Sequence, residues 1–270
     1  MKNVIVSAAF DNLTSRAMRF LEEAAKLGEL QVLLWSDAAI RNITGADPTL
    51  PLAEREYFVQ AIRYVSRLQV SATTLDPDTL PALDGCRPDI WCVDEHSASA
   101  AKAAFCATHG IAYRRLSASQ CAGFPTPAPL PLTSRKKVMV TGCYDWFHTG
   151  HVRFFEEVSE LGDLFVVVGH DANIRLLKGN SHPLFSENER RYSVGSIRYV
   201  TQALISSGTG WLDAEPEIAR IQPDLYAVNE DGDKPVKRAF CEQHGIEYVV
   251  LKRSPKPGLA RRSSTDLRGF

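Results

Sequence analysis

The sequence contains no apolar run near the ~18 residues that span a bilayer, so no membrane helix is expected. Its first residues, MKNVIVSAAF, enter a strand-like run without the long apolar stretch and cleavage site of a secretory leader, and a cytoplasmic protein is expected. A paired-cysteine framework is missing. The six cysteines (Cys86, Cys92, Cys106, Cys121, Cys143 and Cys241) include no C-x-x-C pair, which argues against zinc and for buried, reduced thiols. An excess of charge is missing too. With 31 basic and 32 acidic residues the net charge is −1, so no bulk field draws the chain to nucleic acid. With 44% hydrophobic and 23% charged residues, the composition excludes disordered, collagen-like and coiled-coil chains. What is present is 270 residues, enough for one large domain or two ordinary ones.

The chain repeats itself. VIVSAAFDNLTSRAMRFLEEAAKLGELQVLLWSDAAIR, from Val4, aligns without gaps on VMVTGCYDWFHTGHVRFFEEVSELGDLFVVVGHDANIR, from Val138, with 15 of 38 positions identical. The match continues at an offset one residue larger. AEREYFVQAIRYV pairs with NERRYSVGSIRYV, CRPDIWCVDE with IQPDLYAVNE, and FCATHGIAYRRL with FCEQHGIEYVVL. Two copies of one domain are expected, residues 1–121 and 137–270. Between them, residues 122–136 carry Pro125, Pro127, Pro129 and Pro131 in alternation and read as a semi-rigid linker.

Each copy is punctuated as an α/β unit. In the second, VMVTGCYD, DLFVVVGH, PDLYAVNE and IEYVVLKR read as buried strands. GHVRFFEEVSELG, SENERRYSVGSIRYV and KPVKRAFCEQHG read as helices, the second opened by a capping box of Ser186 and Glu189. Alternating strands and helices predict a mostly parallel sheet flanked by helices, with ligands beyond the carboxyl ends of its strands.

One strand end carries chemistry. In TGCYDWFHTGH, His148 and His151 fall on one face if a helix begins there, among free N–H groups that attract phosphate. Gly142 and Gly150 let a phosphate approach the backbone. The pattern points to phosphoryl transfer; the plainer alternative is two surface histidines at a helix cap.

GCYDWFHTGH resembles the HxGH segment of the cytidylyltransferase-like nucleotidyltransferases. LLKGNSHPLFSENERRYSVGSIRYV is similar to the lysine-plus-helix region of choline- and ethanolamine-phosphate cytidylyltransferases. LLKGNSHP also resembles heptose-phosphate adenylyltransferases, and ARRSSTDL the family's closing RTxGIST segment. The resemblance covers residues 137–270 and, weakly, the first copy. It implies two tandem Rossmann-like domains, packed as a pseudo-dimer through Ile62–Val65 and Ile197–Val200, with further self-association left open. It also implies direct attack of a phosphomonoester oxygen on the α-phosphorus of a nucleoside triphosphate, with pyrophosphate leaving. His148, His151 and Lys178 become the catalytic groups, Lys178 closing over the phosphates from a mobile KG loop. Thr141, Gly142, Cys143, Tyr144, Asp145, Gly150, Arg190, Arg262, Ser263, Ser264 and Thr265 become nucleotide-binding residues. For Asp145 a structural role at the turn stands beside the site role. No metal held by the protein itself is expected; Mg²⁺ is expected with the triphosphate.

Outside the motif, His109 and His244 precede helix-ending glycines in both copies and read as helix C-terminal groups, while His170 is open between site and structure. The first copy carries Thr14, Arg16 and Ala17 in place of His148, Gly150 and His151, and Ala8 in place of Gly142. It reads as non-catalytic, with Arg16 a candidate anion holder. The expected activity is transfer of a nucleotidyl group, CTP ahead of ATP as donor, to a small phosphorylated acceptor. The alternatives are an ATP-dependent adenylyltransferase acting on a sugar phosphate, and a non-catalytic nucleotide-binding scaffold.

Overall fold

The computed structural model describes residues 1–85 and 87–263. It divides into two compact units, the first from Met1 to Gly123 and the second beginning at Phe124. In the first unit the order is β1 (Asn3–Ala8), α1 (Ser15–Ala25), β2 (Glu29–Leu34), α2 (Asp37–Thr44), α3 (Leu52–Ala61), β3 (Arg67–Val70), β4 (Ile90–Asp94), α4 (Ala100–His109) and β5 (Ala112–Leu116). The second repeats it as β6 (Lys137–Gly142), α5 (Thr149–Leu161), β7 (Asp163–Val168), α6 (Asp171–Lys178), α7 (Glu187–Gly195) and β8 (Gln202–Ile205). It continues through α8 (Glu215–Ile221), which the first unit lacks, to β9 (Leu225–Asn229), α9 (Pro235–Gln243) and β10 (Glu247–Leu251). Each unit holds one five-stranded sheet, ordered β3-β2-β1-β4-β5 and β10-β9-β6-β7-β8. Every strand pair in both is parallel.

The central strands are apolar because both faces are covered; all six residues of β7 are buried. Right-handed crossovers on this strand order put α5 and α7 on one face of the second sheet and α8 and α9 on the other. Met139, Val167, Tyr226 and Val228 accordingly pack with Ala214, Ile218 and Cys241. The strand order changes direction between β6 and β9, so a cleft opens over their carboxyl ends.

Three elements of the second unit are additional to those read from the sequence: α6, β8 and α8. Each is short, and α8 has no side-chain N-cap to announce it. The capping box at Ser186 forms its first half, with Ser186 Oγ accepting from Glu189 N–H at 3.3 Å. That helix ends at Gly195, short of the Ile-Arg-Tyr-Val segment that the sequence pattern placed inside it.

From Phe124 onward, the stretch expected to be a linker is built into the second unit. Phe124 packs on Tyr192 with ring centroids 5.8 Å apart, and Leu130 N–H donates to Thr201 O at 2.8 Å. Thr133 donates from N–H and Oγ to the buried Asp163 carboxylate at 2.7 and 3.0 Å. Pro127 lies so close to Gly195 that a Cβ there would come within 2.6 Å of it. Alternating prolines thus form a strap laid on the domain surface. No helix among the described residues is long and apolar enough to cross a membrane.

Candidate active site

The cleft over the strand ends of the second unit has a volume of about 310 Å³. The chain enters it through a tight turn. Tyr144 takes a positive φ of 54° and folds its ring back over Gly142, where a Cβ would sit 2.7 Å from the ring. Gly142 is therefore a packing requirement at the site. The Tyr144 hydroxyl is buried without a hydrogen-bond partner, and burial holds its pKa well above that of a free phenol.

Helix α5 starts at the end of this turn. In the first unit the equivalent helix is capped by Thr14, whose Oγ1 accepts from Ala17 N–H at 3.3 Å. In the second unit His148 is the cap, and its Nδ1 accepts from Gly150 N–H at 3.0 Å. An accepting Nδ1 carries no hydrogen, so the neutral ring carries it on Nε2 as a donor. His151 stacks on His148 with centroids 4.0 Å apart and meets Tyr144 edge-on at 5.2 Å. Its Nδ1 is buried without a hydrogen-bond partner. Burial first, then the charges of His148, Arg253 and Lys178, push its pKa well below the ordinary histidine value. A neutral imidazole is thus held at a helix N-terminus, facing a cleft lined by cations.

Among the described residues, three cations line the cleft. Lys178 is the last residue of α6, so it stands on a helix end and only residues 179–185 form the loop. Arg253, just beyond β10, donates to Asp231 Oδ2 at 2.6 Å and to the Arg262 carbonyl at 3.2 Å. Lys237, on α9, enters from the opposite face of the sheet. Neither Arg253 nor Lys237 stood out in the sequence. Arg253 stands in a C-terminal stretch with several other cations, and Lys237 recurs as Lys102 in the unit without the histidines, so neither is marked as a site residue by its sequence position. Thr141 shares a 2.6 Å hydrogen bond with the Tyr226 hydroxyl. The Cys143 thiol is pushed up by burial and is not the thiolate that a covalent route needs.

Two expected site residues, and also His170, have other work. Arg190 is 1% exposed. Its guanidinium donates to Phe185 O, Cys143 O, Gly169 O and Asp171 Oδ1 at 2.6–2.9 Å, which corrects its assignment to phosphate. Arg55 does the same in the first unit, donating to Leu50 O, Ala9 O, Trp35 O and Asp37 Oδ1. Asp145 is also structural: its Oδ1 accepts from Leu184 and Phe185 N–H at 2.8 and 3.0 Å, as Asp11 accepts from Thr49 and Leu50. His170 caps α6, accepting from Asn173 N–H at 3.2 Å, and its other ring nitrogen meets Gly208 O at 2.8 Å. Arg262 lines a small neighbouring pocket with Thr149 and Arg153, while Ser263 lines the cleft itself. Ser264 and Thr265 lie outside the described residues. His109 and His244 each reach the carbonyl four residues back at 2.8 Å. Among the described residues no three His, Cys, Asp or Glu side chains converge in a metal-binding group.

The first unit keeps a cavity of about 260 Å³ at the corresponding strand ends, lined by Ala8, Phe10, Thr14, Arg16 and Ala17. The framework persists there without the histidines.

Comparison with known proteins bears on the second unit. The family model described as Cytidylyltransferase-like matches residues 139–258. An FAD synthase of Thermococcus kodakarensis is 38% identical over 123 residues, covering 44% of this chain and 80% of that protein. An FAD synthase of Ferroglobus placidus is 34% identical over 120 residues, covering 43% and 75%. The Bifunctional protein HldE of Syntrophotalea carbinolica is 39% identical over 119 residues, covering 42% of this chain and 24% of that protein. Two parallel α/β units, a strand–HTGH–helix site and FAD synthases matched over most of their length lead to one conclusion: the chain belongs to the cytidylyltransferase-like family and is a nucleotidyltransferase.

Proposed function

We propose that the second unit transfers the adenylyl group of ATP to a phosphomonoester, with release of pyrophosphate. The observation that carries the chemistry is the pair of stacked histidines at the α5 N-terminus, facing Lys178 and Arg253 across one cleft. The donor is chosen on likeness. CTP was the first expectation from the sequence, but the matched relatives include FAD synthases, and forming FAD from a flavin phosphate adds an adenylyl group.

In this reading an acceptor oxygen attacks the α-phosphorus, the bond to the β-phosphate oxygen breaks, and pyrophosphate departs with that electron pair. Catalysis is alignment plus neutralisation of charge. His148, with its hydrogen on Nε2, donates to triphosphate oxygens. His151, kept neutral, donates to the transferring phosphoryl group without the cost of burying a second charge. Lys178 and Arg253 balance the growing charge on pyrophosphate. Magnesium is part of the substrate, carried by the triphosphate. Asp145 and Asp231, the cleft's carboxylates, already serve backbone N–H groups and Arg253. The first unit serves as a non-catalytic partner in the same chain.

The test is a thermal-shift screen of the four nucleoside triphosphates with Mg²⁺, then pyrophosphate release against flavin mononucleotide, sugar phosphates and glycerol phosphate. ATP should give the largest shift and support turnover. A larger shift and turnover with CTP would overturn the choice of donor.

A further inference from the structure

The two units provide an internal comparison at one lysine. Lys102 in α4 and Lys237 in α9 occupy the same place in the repeat, as do Asp78 and Asp213, and Ser71 and Ser206. In the first unit this group is closed on itself. Lys102 is 8% exposed, donates to Ser97 O at 2.7 Å and lies 3.4 Å from Asp78 Oδ1. Asp78 also accepts from the hydroxyl of Ser99, the cap of α4, at 2.6 Å. A carboxylate thus sits in front of both the lysine and the helix start.

In the second unit the group is open. Ser206 Oγ donates to Asp213 Oδ2 at 2.7 Å, so that carboxylate is engaged by a hydroxyl and forms no ion pair with the lysine. Lys237 forms no ion pair with any described residue. Its ammonium has a long 3.4 Å contact to Thr141 Oγ1 and stands 5.7 Å above the Tyr226 ring. The cap position of α9 is Lys234, whose side chain makes no capping bond. Burial depresses the pKa of Lys237, outweighing the attraction of Asp213, as it does for a cation partly stripped of water. The second unit therefore keeps the lysine, leaves its equivalent carboxylate, Asp213, nearby but out of ion-pair contact, and turns the ammonium into the cleft.

The position of that ammonium selects its ligand. His148 and His151 come from the α5 face of the sheet and Lys237 from the α9 face, with the strand ends between. Attack in line requires the acceptor to enter opposite the leaving pyrophosphate. We propose that Lys237 binds the phosphate of the acceptor, supplying across the cleft the cation that answers the histidine side. The assignment rests on the adenylyl-transfer reading for the word acceptor; the anion site itself rests on the lysine comparison alone.

The experiment uses the full chain and inorganic phosphate as probe, titrated calorimetrically with and without saturating Mg²⁺ and α,β-methylene-ATP. Wild-type protein should bind phosphate in both conditions. Lys237→Met should weaken phosphate binding about tenfold or more while leaving affinity for the ATP analogue within about twofold. Lys237→Arg, which keeps the charge, should retain most of the affinity and guards against a variant that misfolds. Lys102→Met should leave both affinities unchanged. Phosphate binding to Lys237→Met at wild-type strength, or equal weakening of phosphate and analogue, overturns the proposal. If the analogue fails to bind wild-type protein, the adenylyl-transfer reading falls, and the titration without nucleotide still decides for or against the anion site.

Discussion

At the scale of single residues, the two histidines make different predictions from different surroundings. His151→Ala should lower turnover by about 10²-fold, measured as pyrophosphate release, because it removes one donor to the reacting phosphorus. The same residue sets a pH dependence of stability. Its folded pKa lies below its unfolded value near 6.5, so the unfolded chain takes up the proton first as pH falls. The neutral ring's contribution is complete above about pH 6.5 and is lost below it, until the folded pKa is reached, at no more than ~1.4 kcal/mol per pH unit. Thermal melts between pH 7 and pH 5 should show this slope, and His151→Gln should flatten it. Arg190 behaves otherwise. Arg190→Met and Arg55→Met should each lower stability by roughly 3 kcal/mol, since each leaves carbonyls and a carboxylate without their donor. The Arg55 variant should keep its affinity for nucleotide. An Arg190 variant that melts like wild type and loses only nucleotide affinity would return that arginine to the phosphates.

At the scale of elements, α6 and the segment after it define what can move. Lys178 ends the helix, and His182, Leu184 and Phe185 all meet Asp145, so only residues 179–181 lie between the helix end and these contacts. Hydrogen exchange should show new protection at 179–181 on binding Mg-nucleotide, with 184 and 185 protected beforehand. Equal exchange with and without nucleotide would exclude closure over the phosphates. The same elements show what the sequence could reveal. The repeat, the strand–HTGH–helix turn and the parallel sheet were legible, because apolar periodicity and short-range spacing are written in consecutive residues. The roles of Arg190 and Asp145 were legible in principle: the unit without histidines keeps both, as Arg55 and Asp11, and a group retained without the chemistry serves the frame. Lys237 was not legible: by the same rule its retention as Lys102 reads as frame, and only the side-chain partners separate the two. Helix α6 and strand β8 were hidden by their brevity.

At the scale of the whole molecule, the recurring Ile-Arg-Tyr-Val segment leads to an expectation of contact between copies, and it has a direct test. Residues 124–270 expressed alone should bind nucleotide and self-associate, as read by light scattering; a monomer with the full chain's stability would remove that role from the segment. The starting residue matters, because the strap belongs to the domain it precedes. Beginning instead at residue 137 would strip Thr133 from the buried Asp163 carboxylate and Pro127 from the surface at Gly195, and that shorter piece should melt lower. Viewed by a protease, four prolines in seven residues look like an exposed tether inviting a cut. With Leu130 hydrogen-bonded to Thr201 and Arg135 to the carbonyls of Ser159 and Glu160, this stretch cannot readily extend into a protease's active cleft, so digestion should spare it and nick the chain, if at all, near Gly123.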